Sequence, residues 1–304
     1  MKKITANIYT EDRFSIPTAK YGYHGSNPSY VTTSDGIVVI DTPMLPTDAI
    51  RMRDEIARMG EIRYIINTHH HLDHTTGNFF FPGTVVSHEG VKEMFTAPLS
   101  QWTATRSPAE IKELESGGQG ILRYIYSIVK REDPAGVSLM KGYKLKAPTI
   151  TFSERLTLYA GNHTFELLHW PGHTDAHIVV YIPQEKVLFT GDNFTNLTQP
   201  AMSHSMPLEW VKSLKKAEAM DVDVIVPGHG KVCDKTEIAN FRRFIQKCID
   251  MVKEAIKQGM TMEEAAARLS FEKLYPGPGR GSAVHPGAGM QRKNVMRLYE
   301  MLSK

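Results

Sequence analysis

Seven consecutive residues, Thr68-His69-His70-His71-Leu72-Asp73-His74, gather four imidazoles and a carboxylate in one short stretch. Neutral imidazole and carboxylate are the ligands that suit zinc and its neighbouring divalent metals. The apolar run RYIINT (63–68) just ahead reads as a buried strand, and a loop at the end of such a strand is a rigid place to hold a metal. In extended chain, side chains two residues apart point the same way. His69 and His71 can therefore grip one ion together, while Asp73 and His74, just past the bend, can reach a second ion beside it. His70 points the other way and reads as structural.

Four ligands do not satisfy two ions, so more are expected further on. Three candidates follow short turns at the ends of apolar strands. They are His173 in Trp170-Pro171-Gly172-His173-Thr174, Asp192 in Leu188-Phe189-Thr190-Gly191-Asp192, and His229 in Val226-Pro227-Gly228-His229-Gly230. A glycine before each of them permits a tight bend and close backbone approach. Packing alone does not explain four repeats of strand, turn and ligand.

The ordered set THHHLDH, PGHT, TGD and PGHG resembles the metallo-β-lactamase superfamily, over about residues 20 to 245. The resemblance implies an α/β (α+β) fold, a four-layer αββα sandwich of two mixed sheets with outer helices and a dinuclear metal site at the sheet edges. It also implies that His69, His71 and His173 bind the first metal, that Asp73, His74 and His229 bind the second, and that Asp192 bridges the two. His71, rather than Glu, in the second slot is closer to the zinc hydrolases than to the diiron flavoprotein branch. The expected cofactors are two divalent ions, Zn2+ first, with iron or manganese also suited to such ligands.

Two ions sharing a water lower its pKa from 15.7 toward about 7 and so generate a bridging hydroxide at neutral pH. Asp73 is the candidate to orient that nucleophile and shuttle its proton, or it serves as a ligand alone. The expected activity is hydrolysis of a small-molecule ester-like bond: ester, lactone, thioester or β-lactam. Gly191-Asp192-Asn193-Phe194 departs from the GD-T-L-F run common in glyoxalase II, which points away from glutathione thioesters. No G-x-S-x-G elbow is present. The alternative from another class is a mononuclear iron oxidoreductase of the persulfide dioxygenase type, using a subset of the same ligands.

Several other residues are candidates for the substrate pocket. Tyr23 and His24 sit in a loop before the first core strand, His177 lies four residues after His173, His204 follows Asp192, and His285 sits in the run YPGPGRGSAVHPGAG. His88, His163 and His169 read as ordinary half-buried histidines.

The elements that must position these groups follow from pattern. Residues 29–41 read as two strands joined at Ser34-Asp35-Gly36, 46–60 as a helix, and 84–88 as a strand. Strands resume at ITF, RLTLYA, TFELLHW, HIVVYI and KVLFTGD. Helices are expected at about 208–220, 235–257, 262–269 and from Met290. The chain of 304 residues reads as a single domain, with a helical insertion at about 89–147 and a helical C-terminal extension at about 235–304.

Hydrophobic residues at 41% and charged residues at 23% are ordinary globular usage, and the net charge of +3 is scattered without a Lys/Arg cluster. Nucleic acid is therefore not an expected partner. No apolar run approaches the roughly 18 residues a bilayer crossing needs, and the start has no apolar signal-peptide core. The expected setting is cytoplasmic, with a small-molecule substrate and no membrane. The sequence does not fix the oligomeric state; a homodimer is compatible with it. Two cysteines, Cys233 and Cys248, make neither a disulfide framework nor a sulfur-ligated metal site.

Overall fold

The run Gly36–Ile40 shows how the core is divided. Val38 and Ile40 face a cluster shared with Phe165, Leu167 and Val180, while Ile37 and Val39 face the helix Pro46–Ala57 through Ala49, Met52 and Ile56. Successive strand residues point to opposite faces, so a strand buried on both sides must lie between two layers. This computed structural model describes residues 1–11, 25–102, 112, 120–275 and 288–303.

The first sheet holds seven strands in chain order: β1 (Lys2–Lys3), β2 (Ile8–Thr10), β3 (Ser29–Thr33), β4 (Gly36–Ile40), β5 (Ile62–Ile66), β6 (Thr84–His88) and β7 (Ile150–Phe152). Pairing is antiparallel from β1 to β4 and parallel from β4 to β7. The second sheet holds β8 (Arg155–Ala160), β9 (His163–His169), β10 (Ile178–Ile182), β11 (Val187–Asn196) and β12 (Val224–Gly230). It is antiparallel except for the parallel pair β11 and β12. Both sheets are mixed, and they pack face to face through aliphatic side chains.

Helices cover the outer faces. Val179, Leu188, Phe194 and Ile225 of the second sheet meet Trp210, Phe241, Ile245 and Leu298 from the helices Pro207–Ala219, Thr236–Lys257 and Ala288–Leu302. The helix Thr236–Lys257 buries Ile238, Phe241, Ile245, Ile249 and Val252, spaced three or four apart as one helical face requires. Each such aliphatic or aromatic burial contributes about 1.5–3 kcal/mol. Four layers, αββα, result. Among the described residues no helix is long and apolar enough to cross a membrane.

Local differences from the sequence pattern have simple causes. β1 and β2 are two and three residues long, too short to carry an alternation that can be read. β5 ends at Ile66, not Thr68, because the chain bends away from the ladder at Thr68. The Asn67 N–H still donates to Val86 O at 3.0 Å, but that of Thr68 donates to the Asp41 carboxylate at 2.8 Å. In the stretch 89–147 the described elements are the helices Glu89–Met94, Leu99–Trp102 and Gly120–Glu132 and the 3-10 segment Pro134–Met140.

Candidate metal centre

Strand ends bring the seven ligand candidates together. His69, His70 and His71 leave β5; Asp73 and His74 sit on the single turn Leu72–Thr75; His173 lies between β9 and β10. Asp192 lies inside β11, where the pairing with β12 shifts register on both sides of Gly191, and His229 is near the end of β12. A bulge of this kind re-aims a side chain out of the ladder. The two sheets are stitched at this edge by Ile178 N–H donating to Thr68 O at 2.8 Å.

The side chains form two adjoining groups. One potential ligand atom from each of His69, His71, His173 and Asp192 lies within 4.8 Å of the others, and the same holds for Asp73, His74 and His229. Asp192 touches both groups: Oδ2 is 3.4 Å from both His173 Nε2 and His229 Nε2, and Oδ1 is 3.2 Å from His74 Nε2. His229 Nε2 also meets Asp73 Oδ2 at 3.0 Å.

Hydrogen bonds decide which ring nitrogen each histidine turns inward. Asp41 is the hub. Its Oδ2 accepts from Thr68 Oγ1 and from His74 Nδ1, both at 2.7 Å, which leaves His74 Nε2 bare. With its own proton committed, Thr68 Oγ1 accepts from His69 Nδ1 at 3.1 Å, which leaves His69 Nε2 bare. Both bare nitrogens, and Asp192 Oδ1, are buried without a hydrogen bond.

His71 is held by another histidine. His204 Nε2 lies 2.8 Å from Gln101 O, and a carbonyl only accepts, so this nitrogen carries the proton. His204 Nδ1 is then the acceptor for His71 Nε2 at 2.8 Å, which frees His71 Nδ1, itself 2.9 Å from His173 Nε2. A hydroxyl, an imidazole and a carboxylate thus stand behind His69, His71 and His74 respectively, the arrangement that fixes the tautomer and orientation of metal-binding imidazoles. The donor set and its orphaned atoms fit divalent cations.

Electrostatics agree. Burial holds His69, His71 and His173 well below the ordinary imidazole range. Burial also opposes charge on His74 and His229, but the Asp192, Asp41 and Asp73 carboxylates outweigh it for His74, and Asp192 and Asp73 do so for His229. His74 is pushed well up and His229 up to about 10. Burial disfavours ionised Asp73 and Asp192 too, yet His74 and His229 hold both well below the usual carboxylate range. Divalent cations compete with protons for these imidazoles, so cation affinity rises with pH.

Glycines keep these parts close. A Cβ on Gly228 would stand 2.0 Å from Asp192 Oδ1, and Gly191, at φ +48°, would meet Thr68 Oγ1 at 2.6 Å and His177 Nε2 at 2.8 Å. Asn193 supports the same corner, accepting the His173 N–H at 2.8 Å and donating to Trp170 O at 2.7 Å.

The pocket candidates divide. His204 lines a cavity of about 540 Å³ beside the ligand cluster, and so does His70, which the alternation assigned a structural part. His177 is fully buried behind the centre, stacked on His69 with ring centroids 5.0 Å apart, and does not line that cavity. Tyr23, His24 and His285 lie outside the described residues. Asp41, Asn193 and the Gln101 carbonyl were not singled out from the sequence. Asp41 had a readable signal, a carboxylate at the end of the apolar strand GIVVI, whereas a backbone carbonyl leaves none.

A sandwich with candidate metal ligands gathered at its strand ends is the architecture of a class of metallo-hydrolases. The chain belongs to the metallo-beta-lactamase superfamily, whose family model matches residues 21–229. It is 25% identical over 300 aligned residues to a linear primary-alkylsulfatase of a Pseudomonas species, covering 89% of this chain and 54% of that one. The chain therefore spans about half the length of that relative. A protein named as a probable metallo-hydrolase of Methanocaldococcus jannaschii is 27% identical, over 74% of this chain and 97% of its own. Among solved structures, a metallo-beta-lactamase family protein of Thermus thermophilus superposes with a TM-score of 0.62 at 17% identity, over 90% of this chain and 87% of that one.

Proposed function

We propose that the chain is a hydrolase of small-molecule ester-type bonds that works with two zinc ions. His69, His71 and His173 would hold one, Asp73, His74 and His229 the other, with Asp192 between them. The observation that carries this reading is the pair of buried, bare nitrogens on His69 and His74, each with its opposite nitrogen tied back, on either side of a carboxylate that faces both groups. When bound, paired cations supply Lewis acidity and bring the pKa of a water they share down toward about 7.

The chain's own residues do the rest. Asp41 and His204 fix which nitrogens face inward. Asp73, half-buried with Oδ2 toward His229, is the group we assign to orient an attacking water and carry its proton. The helices of 89–147 and of the C-terminal part flank the substrate's approach within the same domain.

Metal analysis of the protein as purified, combined with an ester, lactone, thioester, β-lactam and phosphoester panel, tests this reading. Two zinc equivalents with hydrolysis are expected, and His71→Ala or Asp73→Ala should lose both turnover and bound metal. A single iron with oxygen uptake, or near-normal turnover in either variant, overturns it.

A further inference from the structure

The cavity of about 540 Å³ lies behind His71, not in front of it. Among the described residues that line it, none is one of the seven ligand candidates. It is bordered by His70 and His204, and His204 meets His71 at Nε2, whereas His71 Nδ1 faces His173. A molecule held here therefore touches the support of a candidate ligand and leaves the space between the two ligand groups free. The volume is within the range of small-molecule sites, roughly 300–1,000 Å³.

The lining says what fits. Met94, Met206, Met262 and Met296 contribute to it, each half-buried. Methionine is unbranched and polarisable, so such a lining adapts to a flexible aliphatic body. Its charges carry no net sign, because Asp175 and Glu300 offset Lys293 and Arg297. Arg297 is also engaged, donating to Ser205 O and Glu300 at 3.1 Å each. Nothing in this balance selects an ion.

His70 supplies the polar point. It is 2% exposed, yet neither ring nitrogen has a hydrogen-bond partner. A buried imidazole left in that state costs free energy unless something arrives to satisfy it. The uncharged ring has one donor and one acceptor, and which nitrogen is which depends on the tautomer. A hydroxyl both donates and accepts, so it answers either nitrogen in either tautomer. A carboxylate only accepts and an ammonium only donates.

We propose that this cavity is an effector site for an uncharged aliphatic alcohol. Its hydroxyl bonds His70, its chain lies along the methionines, and its presence strengthens cation binding at the centre through His204. The path is short. His204 and Gln101 both border the cavity; the Gln101 carbonyl holds His204 Nε2, and His204 Nδ1 holds His71 Nε2, at 2.8 Å each. A guest packed against both residues narrows the motion of the imidazole that orients His71. Met262 and Met296 stand on helices beyond residue 229, outside the segment the family model matches, so the site is built partly by the C-terminal helices. The alcohol site stands on the cavity alone; its effect on the centre rests on the cation reading above.

Calorimetric binding of linear 1-alkanols, butanol to octanol, to metal-free protein tests the site without any metal. Saturable binding is expected, with affinity climbing up to about fourfold per added methylene. His70→Leu should weaken 1-hexanol about fivefold, the worth of one hydrogen bond. Met296→Glu should flatten the length series, both variants being checked for folding by their melting curves. Zinc affinity in chelator competition, with and without saturating 1-hexanol, tests the coupling. It should rise about fivefold with the alcohol, at the lower end of usual couplings between sites, and should not move in His204→Leu.

No saturable alkanol binding, a flat length series in the wild type, or binding that both variants retain unchanged overturns the site. The wild-type series decides even if neither variant folds. Alkanol binding with a zinc affinity that stays put, or that moves equally in His204→Leu, overturns the effector role. Zinc that fails to bind with or without alcohol overturns the cation reading and the effector role together, and leaves the alcohol site standing.

Discussion

The ligand cluster and the cavity beside it are built by opposite means. Around the cluster, His69, His71 and His74 each have their outward nitrogen committed to a named partner, and glycines let backbone approach within a distance no Cβ allows. Along the cavity, four half-buried methionines on helices and loops contribute unbranched, rotatable side chains to the lining. Chemistry needs ligands held to about 0.5 Å, and strand ends tied by hydrogen bonds supply that. Accommodation of a flexible molecule needs the reverse.

If that contrast is right, the ligand region should break sharply and the cavity wall gradually. Gly228→Ala carries the largest expected effect, because the added methyl would overlap Asp192 Oδ1 and push that carboxylate from between the two groups. Displacements of about 1 Å at a reacting centre cost on the order of 100-fold in rate. Turnover together with bound metal should report the loss, and an active variant with two metal equivalents would contradict the packing described. Next comes Asp41→Asn, which replaces the carboxylate that orders His74 and Thr68 with a weaker acceptor. Cation affinity in chelator competition should fall by about 10–100-fold.

The smallest expected effect at the ligands belongs to His204→Leu. This change frees His71 to turn, since the replacement keeps bulk but offers no acceptor for His71 Nε2. Affinity should drop about tenfold, at the lower end of what such outer partners contribute. His204→Gln, whose side-chain oxygen can accept, should recover part of it. Equal losses for Leu and Gln would show that bulk alone matters at this position and would sharpen the comparison against the proposed chain of hydrogen bonds.

Legibility in the sequence followed the same division. The clustering of the candidate ligands could be read because local geometry is stated locally: a strand, a turn with glycine, then an imidazole or carboxylate. The four layers could be read because each strand and helix carries its own periodicity, as in Gly36–Ile40 and Thr236–Lys257. What was not legible depends on groups far apart in the chain. Alternation alone sent His70 away from its neighbours, but could not show that it lies beside His71 and His204 and lines a cavity with His204. The His71–His204 contact joins residues 133 positions apart, and its anchor is the main-chain oxygen of Gln101, which side-chain identity does not announce. Asp41, at φ +54°, is a different case: a carboxylate at the end of an apolar strand could be read, although no glycine turn precedes it.

Gln101 has two duties, bordering the cavity with its side chain's residue and tethering His204 with its carbonyl. A guest that stiffens the helix Leu99–Trp102 would steady the imidazole that steers His71, and so tighten the grip on a cation. Thermodynamic reciprocity then requires the loaded centre to favour the guest by the same factor. Occupancy on one side of His204 becomes a gauge of occupancy on the other.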